Sequence, residues 1–199
     1  MENNTENQKV ITDKKERIIK AATELFYLNG YDNTSIRELA QVAELSVAGV
    51  YYFFKDKEEI LFDILYKSII DQYETIKSAI NEKDEPQKNI RRIIDYLLEH
   101  VLQHKMEISI LNREKHRLSE WQREAINEIS RKAYSLLKQE FSKFKKLGVM
   151  KAKNLSLATF TVFAMTTWFI RWYNPDGPLT IKEIAAEMAD NLFNGILKE

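Results

Sequence analysis

The chain has 199 residues, in which 30 Lys+Arg balance 30 Asp+Glu, so its formal net charge is zero, and 44% of its residues are hydrophobic. That length suits one small domain joined to a larger one, and a chain found by bulk positive charge alone it is not. The absence of cysteine excludes disulfides, thiol nucleophiles and Cys-based zinc sites, while five Gly and three Pro, the prolines all lying between periodic segments, point to long helices.

Residues 1–12 are polar and read as a flexible tail. Without an apolar stretch they do not resemble a signal peptide, so a cytoplasmic protein is expected. A first helix follows from about Lys14 to Asn29, with Ile18, Ala21, Ala22, Leu25 and Phe26 on one face and Gly30 at its end. The next segment, Ser35 to Glu59, reads as two short helices joined by a tight turn. Ile36, Leu39, Ala40 and Ala43 give the first of these an apolar face. Ala40 is small enough for a close helix crossing, and Leu45 fills the corner. Ser46 offers an oxygen to the free N–H groups of a new helix from Val47 to Phe54. There Val50 and Phe54 point back at the first helix, leaving Val47, Ala48, Gly49, Tyr51 and Tyr52 outward. An exposed helix start carrying small side chains can approach the floor of a DNA major groove. The pattern is that of a helix-turn-helix; the plainer alternative is a helical hairpin with an aromatic edge.

Asp56 and Glu59 form a capping-box pair for a long helix to about Asn81, striped by Ile60, Leu61, Ile64, Leu65, Ile69, Tyr73, Ile76 and Ile80. After the charged connector EKDEPQ, helices are expected over Gln87–His104 and Met106–Lys115. Ser119 and Gln122 suggest another capping box, opening a helix towards Lys146 that Gly148 ends. The last two helices span Lys151–Tyr173 and Ile181–Leu197, the second opened by a Thr180–Glu183 capping box. The uncharged run from Asn154 to Ile170 is too short and too rich in Ser, Thr and Asn for a membrane span, and a buried interface helix explains it better. The expected architecture is all-α, with about nine helices.

The run from Lys15 to Leu61, through IIKAATELFYLNGY, TSIRELAQVAELS and VYYFFKDKEEIL, resembles the DNA-binding domain of TetR-type transcriptional regulators. The segment from Trp168 to Ile196, WFIRWYNPDGPLTIKEIAAEMADNLFNGI, is similar to the closing helix pair of one ligand-binding subgroup of that family. The resemblance implies an N-terminal three-helix DNA-binding domain over residues 13–60 and a helical ligand-binding and dimerisation domain over 61–199. It also implies a homodimer seated on a near-palindromic operator in double-stranded DNA. Two positions depart from the family pattern. Glu44 stands where Gly is common and a left-handed backbone would be costly, so a turn that is either right-handed or slightly strained is expected. Phe53 stands where His is common, which removes one phosphate donor.

Within this frame Tyr51, Tyr52 and Lys57 are candidate phosphate donors, and Thr34, Ser35 and Arg37 would grip neighbouring phosphates. Val47, Ala48 and Gly49, behind the capping Ser46, would face base edges. The tyrosines have an alternative role in packing against the preceding helix, and Arg37 one in a surface ion pair. Trp121, Phe163 and Trp168 either line a ligand cavity or belong to the core, and Arg113 either holds an anionic ligand group or forms a salt bridge. The candidate dimer seam is Phe169, Leu192, Phe193 and Ile196. His100 and His104 have the spacing of metal ligands, but there is no Cys and no acid placed as in an HExxH motif, so they read as solvent-facing. Neither a metal nor a cofactor is expected. No nucleophile elbow or Gly-rich phosphate loop supports an enzyme. The expected function is a repressor released from its operator by a small hydrophobic or acyl-type effector, with acyl-CoA a candidate. The alternative is an inducer-independent architectural or partner-recruiting DNA-binding protein.

Overall fold

The computed structural model describes residues 2–197, with side chains from Ile11 onward. Among these residues are nine α-helices and no strand: α1 (Glu2–Asn29), α2 (Ile36–Val42), α3 (Val47–Phe53), α4 (Lys57–Ala79), α5 (Pro86–Gln103), α6 (Lys105–Glu114), α7 (Glu120–Lys146), α8 (Leu155–Phe169) and α9 (Ile181–Ile196), with a 3-10 turn at Lys115–Arg117. The all-α expectation holds. Helix α1 differs from expectation, because the segment read as a flexible tail is helical from Glu2. Nothing in it stops a helix: the residues ahead of Lys14 include neither Gly nor Pro.

The chain forms two compact units, residues 1–68 with 106–126, and residues 69–105 with 127–199, so α4 and α7 each contribute to both. In the first unit Ile18, Phe26, Leu39, Val50, Phe54 and Leu61 are fully or almost fully buried. They are the apolar positions spaced at three and four along α1 to α4, so helical periodicity alone assembles this core. Lys15 adds a tie between elements, pairing with Asp63 at 2.6 Å and lying 5.1 Å from the Phe54 ring centre.

The second unit packs α5 against α8 and α9. Its core takes Ile90, Ile94, Leu97 and Val162, along with Leu192 and Phe193. The last two are also candidates for a dimer seam, and within one chain they are already covered. They are 5% and 4% exposed, and the Phe193 ring lies 6.0 Å from that of Phe144. Phe169 and Ile196 are half-buried against the same core. Helix α8 starts later than expected, at Leu155, because residues ahead of it pair with the end of α9: Lys151 N–H donates to Ile196 O at 2.7 Å. Asn154 then caps α8, accepting from Ser156 and Leu157 N–H. Among the described residues no helix is long and apolar enough to cross a membrane.

One buried polar cluster fixes the α4–α5 turn to α7. Asn89, fully buried, donates to Asn81 O and to Glu140 Oε2, each at 3.0 Å, and its Oδ1 accepts from Asn81 N–H at 3.0 Å and Arg92 at 2.6 Å. Every hydrogen-bonding capacity of the amide is used, and Glu140, 3% exposed, is held by Asn89 on one oxygen and by Lys143 on the other at 2.6 Å. Asn89→Ala leaves several of these groups unpaired, so a loss of about 3 kcal/mol in unfolding free energy is expected by urea titration.

Candidate nucleic-acid interface

The α2–α3 pair is built from local capping chemistry. Ser35 accepts Glu38 N–H at 3.1 Å while Glu38 reaches back to Ser35 N–H, a complete capping box at the start of α2. The Ser-x-x-Glu spacing was legible in the sequence, although Ser35 was assigned there only to phosphate contact. Helix α2 ends in a Schellman-type closure: Glu44 N–H donates to Gln41 O at 3.1 Å and Leu45 N–H to Ala40 O at 2.9 Å. This geometry puts Glu44 at φ +54°, the left-handed region that a glycine would occupy without cost. Arg17 from α1 offsets part of the strain by donating to Glu44 Oε2 at 2.8 Å and Glu44 O at 3.3 Å. The pair is exposed, so it is worth only about 0–1 kcal/mol, less than the ~1–2 kcal/mol of a left-handed L-residue. Glu44→Gly is therefore expected to raise stability by about 0.5–1 kcal/mol, read as a higher Tm; a lower Tm would show that the Arg17 contact dominates.

Ser46 caps α3, its Oγ accepting Gly49 N–H at 3.0 Å. Val50 and Phe54 are buried beneath it, as their spacing requires. On the opposite face Val47 is 40% exposed, Tyr51 52% and Tyr52 75%, with Ala48 also exposed. Tyr52 is thus largely free of α2; its ring stands nearly perpendicular to that of Phe53, with centroids 5.0 Å apart. Gly49 is half-buried, and a Cβ added there would lie 3.3 Å from Ser46 Oγ and 3.7 Å from Leu45 Cβ. Its missing side chain therefore makes room for the cap. Ser35 and Arg37 are exposed on the neighbouring rim. Their hydroxyl and guanidinium groups are chemically suited to phosphate oxygens.

Two of the expected phosphate contacts have other work. Thr34 is 1% exposed and its hydroxyl donates to Gly30 O at 2.9 Å, so it braces the α1–α2 turn. The Lys57 ammonium donates to Tyr31 O at 2.6 Å and Thr34 O at 2.8 Å, and lies 4.2 Å from the Tyr31 ring centre. Burial lowers its pKa and Asp32 opposes that change. Tyr31 itself is pushed up to about 12, chiefly by burial and then by Glu58, so the phenol stays protonated beside the ammonium. Lys57 is first a clamp across the turn, with one N–H remaining for an anion. Lys57→Ala is expected to cost about 2–3 kcal/mol of stability through two charge-assisted hydrogen bonds. Equilibrium unfolding measures it, and an unchanged midpoint would return Lys57 to a purely surface role.

The candidate effector residues are each accounted for within their own unit. In the first unit Arg113 donates to Tyr27 O at 3.0 Å and Phe26 O at 3.4 Å, capping the carboxyl end of α1. Trp121, also there, is 65% exposed with its ring 5.1 Å from Phe62. In the second unit Phe163 packs half-buried on the core, and Trp168 is 54% exposed beneath the Arg171 guanidinium at 4.4 Å.

Comparison with known proteins bears on this arrangement. Residues 18–64 match the family model described as "Bacterial regulatory proteins, tetR family", and residues 83–196 match "Tetracyclin repressor-like, C-terminal domain". The chain is 28% identical to the HTH-type transcriptional regulator YhgD of Bacillus subtilis, over 87% of this chain and 91% of that one. It superposes on the TetR family regulator PfmR of Thermus thermophilus with a TM-score of 0.81 at 28% identity, covering 89% of this chain and 97% of that one. AibR, solved in complex with isovaleryl coenzyme A and operator DNA, also gives 0.81, at 26% identity over 90% of this chain and 98% of that one. With the second family model covering more than half of its length and the reading-helix pair matching the first, this chain belongs to the TetR family of DNA-binding transcriptional regulators.

Proposed function

We propose that the protein is a homodimeric, ligand-responsive repressor acting in the cytoplasm, with α3 of each copy read into successive major grooves of a near-palindromic operator. The observation that carries this reading is the α3 surface: small Val47 and Ala48 at an exposed, capped helix start, flanked by exposed Tyr51 and Tyr52. Val47 and Ala48 face base edges, the two phenols donate to phosphates on either side, and Ser35 and Arg37 hold the adjoining backbone.

The dimer is supported by α8, which is apolar on both sides. Ala158, Val162 and Thr166 face the core, while Leu157, Phe160 and Trp168 are 65%, 58% and 54% exposed along the other side. Trp172, just past the helix, is 79% exposed. An uncharged helix with large apolar side chains on its outer side calls for cover there as well. A second copy related by a two-fold axis supplies it, and this moves the seam from Leu192 and Phe193 to the outer face of α8.

The effector is proposed to be a small acyl-type molecule, acyl-CoA in class, which changes the separation of the two reading heads so that only one docks at a time. The likeness to AibR, whose structure holds isovaleryl coenzyme A and operator DNA, supports that class. Selection of bound duplexes from random DNA is expected to return a two-fold symmetric site, released on adding an acyl-CoA. Asymmetric sites, or recovery at background, would overturn the repressor reading. A symmetric site that no acyl-CoA releases would instead favour the inducer-independent alternative.

A further inference from the structure

On α4, Asp71, Glu74, Thr75 and Ser78 recur at helical spacing, and on α5 Tyr96, Glu99, His100 and Gln103 do the same, so each set occupies one helix face. The two faces border a cleft of about 510 Å³, within the ~300–1,000 Å³ typical of small-molecule sites. Three of the lining groups are carboxylates, Asp71, Glu74 and Glu99. Lys77 partly neutralises Glu74, at 3.3 Å.

His100 distinguishes this cleft from an ordinary acidic surface. It is only 5% exposed, it lines the cleft, and its Nε2 has no hydrogen-bond partner. Its ring stacks on His104 with centroids 4.4 Å apart and planes inclined by 33°. Burial, then the neighbouring His104, lowers its pKa to about 4 against the opposing charge of Asp71. The imidazole is therefore neutral at physiological pH, and one tautomer presents an unshared pair at Nε2. A buried polar atom left without a partner is destabilising, so a group that persists this way in a ligand-sized cleft asks what fills it.

We propose that the α4–α5 cleft binds a small organic cation, a protonated amine, whose ammonium sits among the carboxylates of Asp71, Glu74 and Glu99 and, as the His100 ring turns its solvent-closed Nε2 toward the cleft, donates one hydrogen bond to it. The lining sets the sign of the ligand: an anion would be repelled by three carboxylates, and a neutral ligand would forgo the attraction. Among the described residues no three His, Asp or Glu side chains are placed to hold a metal ion, which favours an organic cation over a metal. Tyr96, 37% exposed at the rim, adds an aromatic ring for the ligand's cationic end. The ligand is polar and positively charged, so this site goes beyond the acyl-type effector proposed above and does not rest on it.

Calorimetric titration of the full chain with 1,4-diaminobutane and spermidine tests the site, with 1,4-butanediol and succinate as matched neutral and anionic probes. Saturable binding of the amines alone is expected. Glu99→Gln, at an exposed position, should weaken it by about fivefold. His100→Phe keeps a stacked ring but removes the acceptor, and should weaken it by about tenfold with no fall in Tm. Amines that fail to bind, a diol that binds as well, or amine affinity unchanged in Glu99→Gln would each overturn the proposal. Should His100→Phe not fold, Glu99→Gln still decides. No DNA enters the measurement, so its failure is separable from failure of the operator-reading account.

Discussion

Ala48→Glu is expected to lower affinity for the selected operator by at least about 100-fold while leaving the fold and the dimer intact. Ala48 is exposed on α3, so the circular dichroism spectrum should be unchanged and Tm should stay within about 1 °C of the parent. Against DNA the same change is severe. A carboxylate replaces a methyl group where the helix approaches base edges, adding bulk and a negative charge close to phosphates. Each misfit half-site costs about 1–3 kcal/mol, and a symmetric dimer incurs it twice. Anisotropy titrations of parent and variant on one labelled duplex measure the ratio. Retained affinity with an intact fold would mean that another surface reads the operator.

Phe160→Asp combined with Trp168→Asp is expected to convert the dimer to monomer, raising its dissociation constant by about 1,000-fold or more. Both side chains are more than half exposed on one side of α8, with Phe160 also meeting the Tyr134 ring of its own chain at 5.1 Å. Aromatic anchors at the centre of an interface each contribute about 2 kcal/mol or more, and two-fold symmetry doubles the count. Operator affinity should fall in parallel, because the second reading head is no longer tethered to the first. Sedimentation equilibrium across micromolar concentrations separates the outcomes. A variant that remains dimeric would place the seam elsewhere, with half-buried Phe169 and Ile196 the first alternatives.

The reading-helix pair was legible because its determinants are local. Leu39, Ala40, Val50 and Phe54 are apolar at helical spacing, Ser46 precedes a free helix start, and the structure buries or caps each as that spacing requires. Glu44 was legible as a conflict: the closure of α2 needs a left-handed residue, and the chain adopts that geometry with a glutamate. Lys57 was not legible. Its partners at Tyr31 and Thr34 are more than twenty residues away, and only the packed turn brings two carbonyls to its ammonium.

The second unit shows where periodicity stops deciding. The stripe of Ala185, Met188, Ala189, Leu192, Phe193 and Ile196 fixes one apolar face on α9, but a stripe does not say whether it meets its own chain or another. Here Leu192 and Phe193 meet their own chain. Helix α8 carries no charge and has apolar residues on every side, so its spacing offered no choice of face. His100 was misjudged for a different reason. It sits with Ile93 and Leu97 at helical spacing on the buried face of α5, whereas its pairing with His104 by spacing says nothing about burial.

The central claim is that two copies of α3 enter the major groove on one side of a symmetric duplex, and dimethyl sulfate protection on the selected operator tests it most directly, since guanine N7 lies on the major-groove floor. The account predicts two clusters of protected guanines related by the site's dyad, centred about one helical turn, or a whole number of turns, apart, and lost together in Ala48→Glu. Unprotected N7 atoms beneath a bound protein, or a single unpaired cluster, would contradict it.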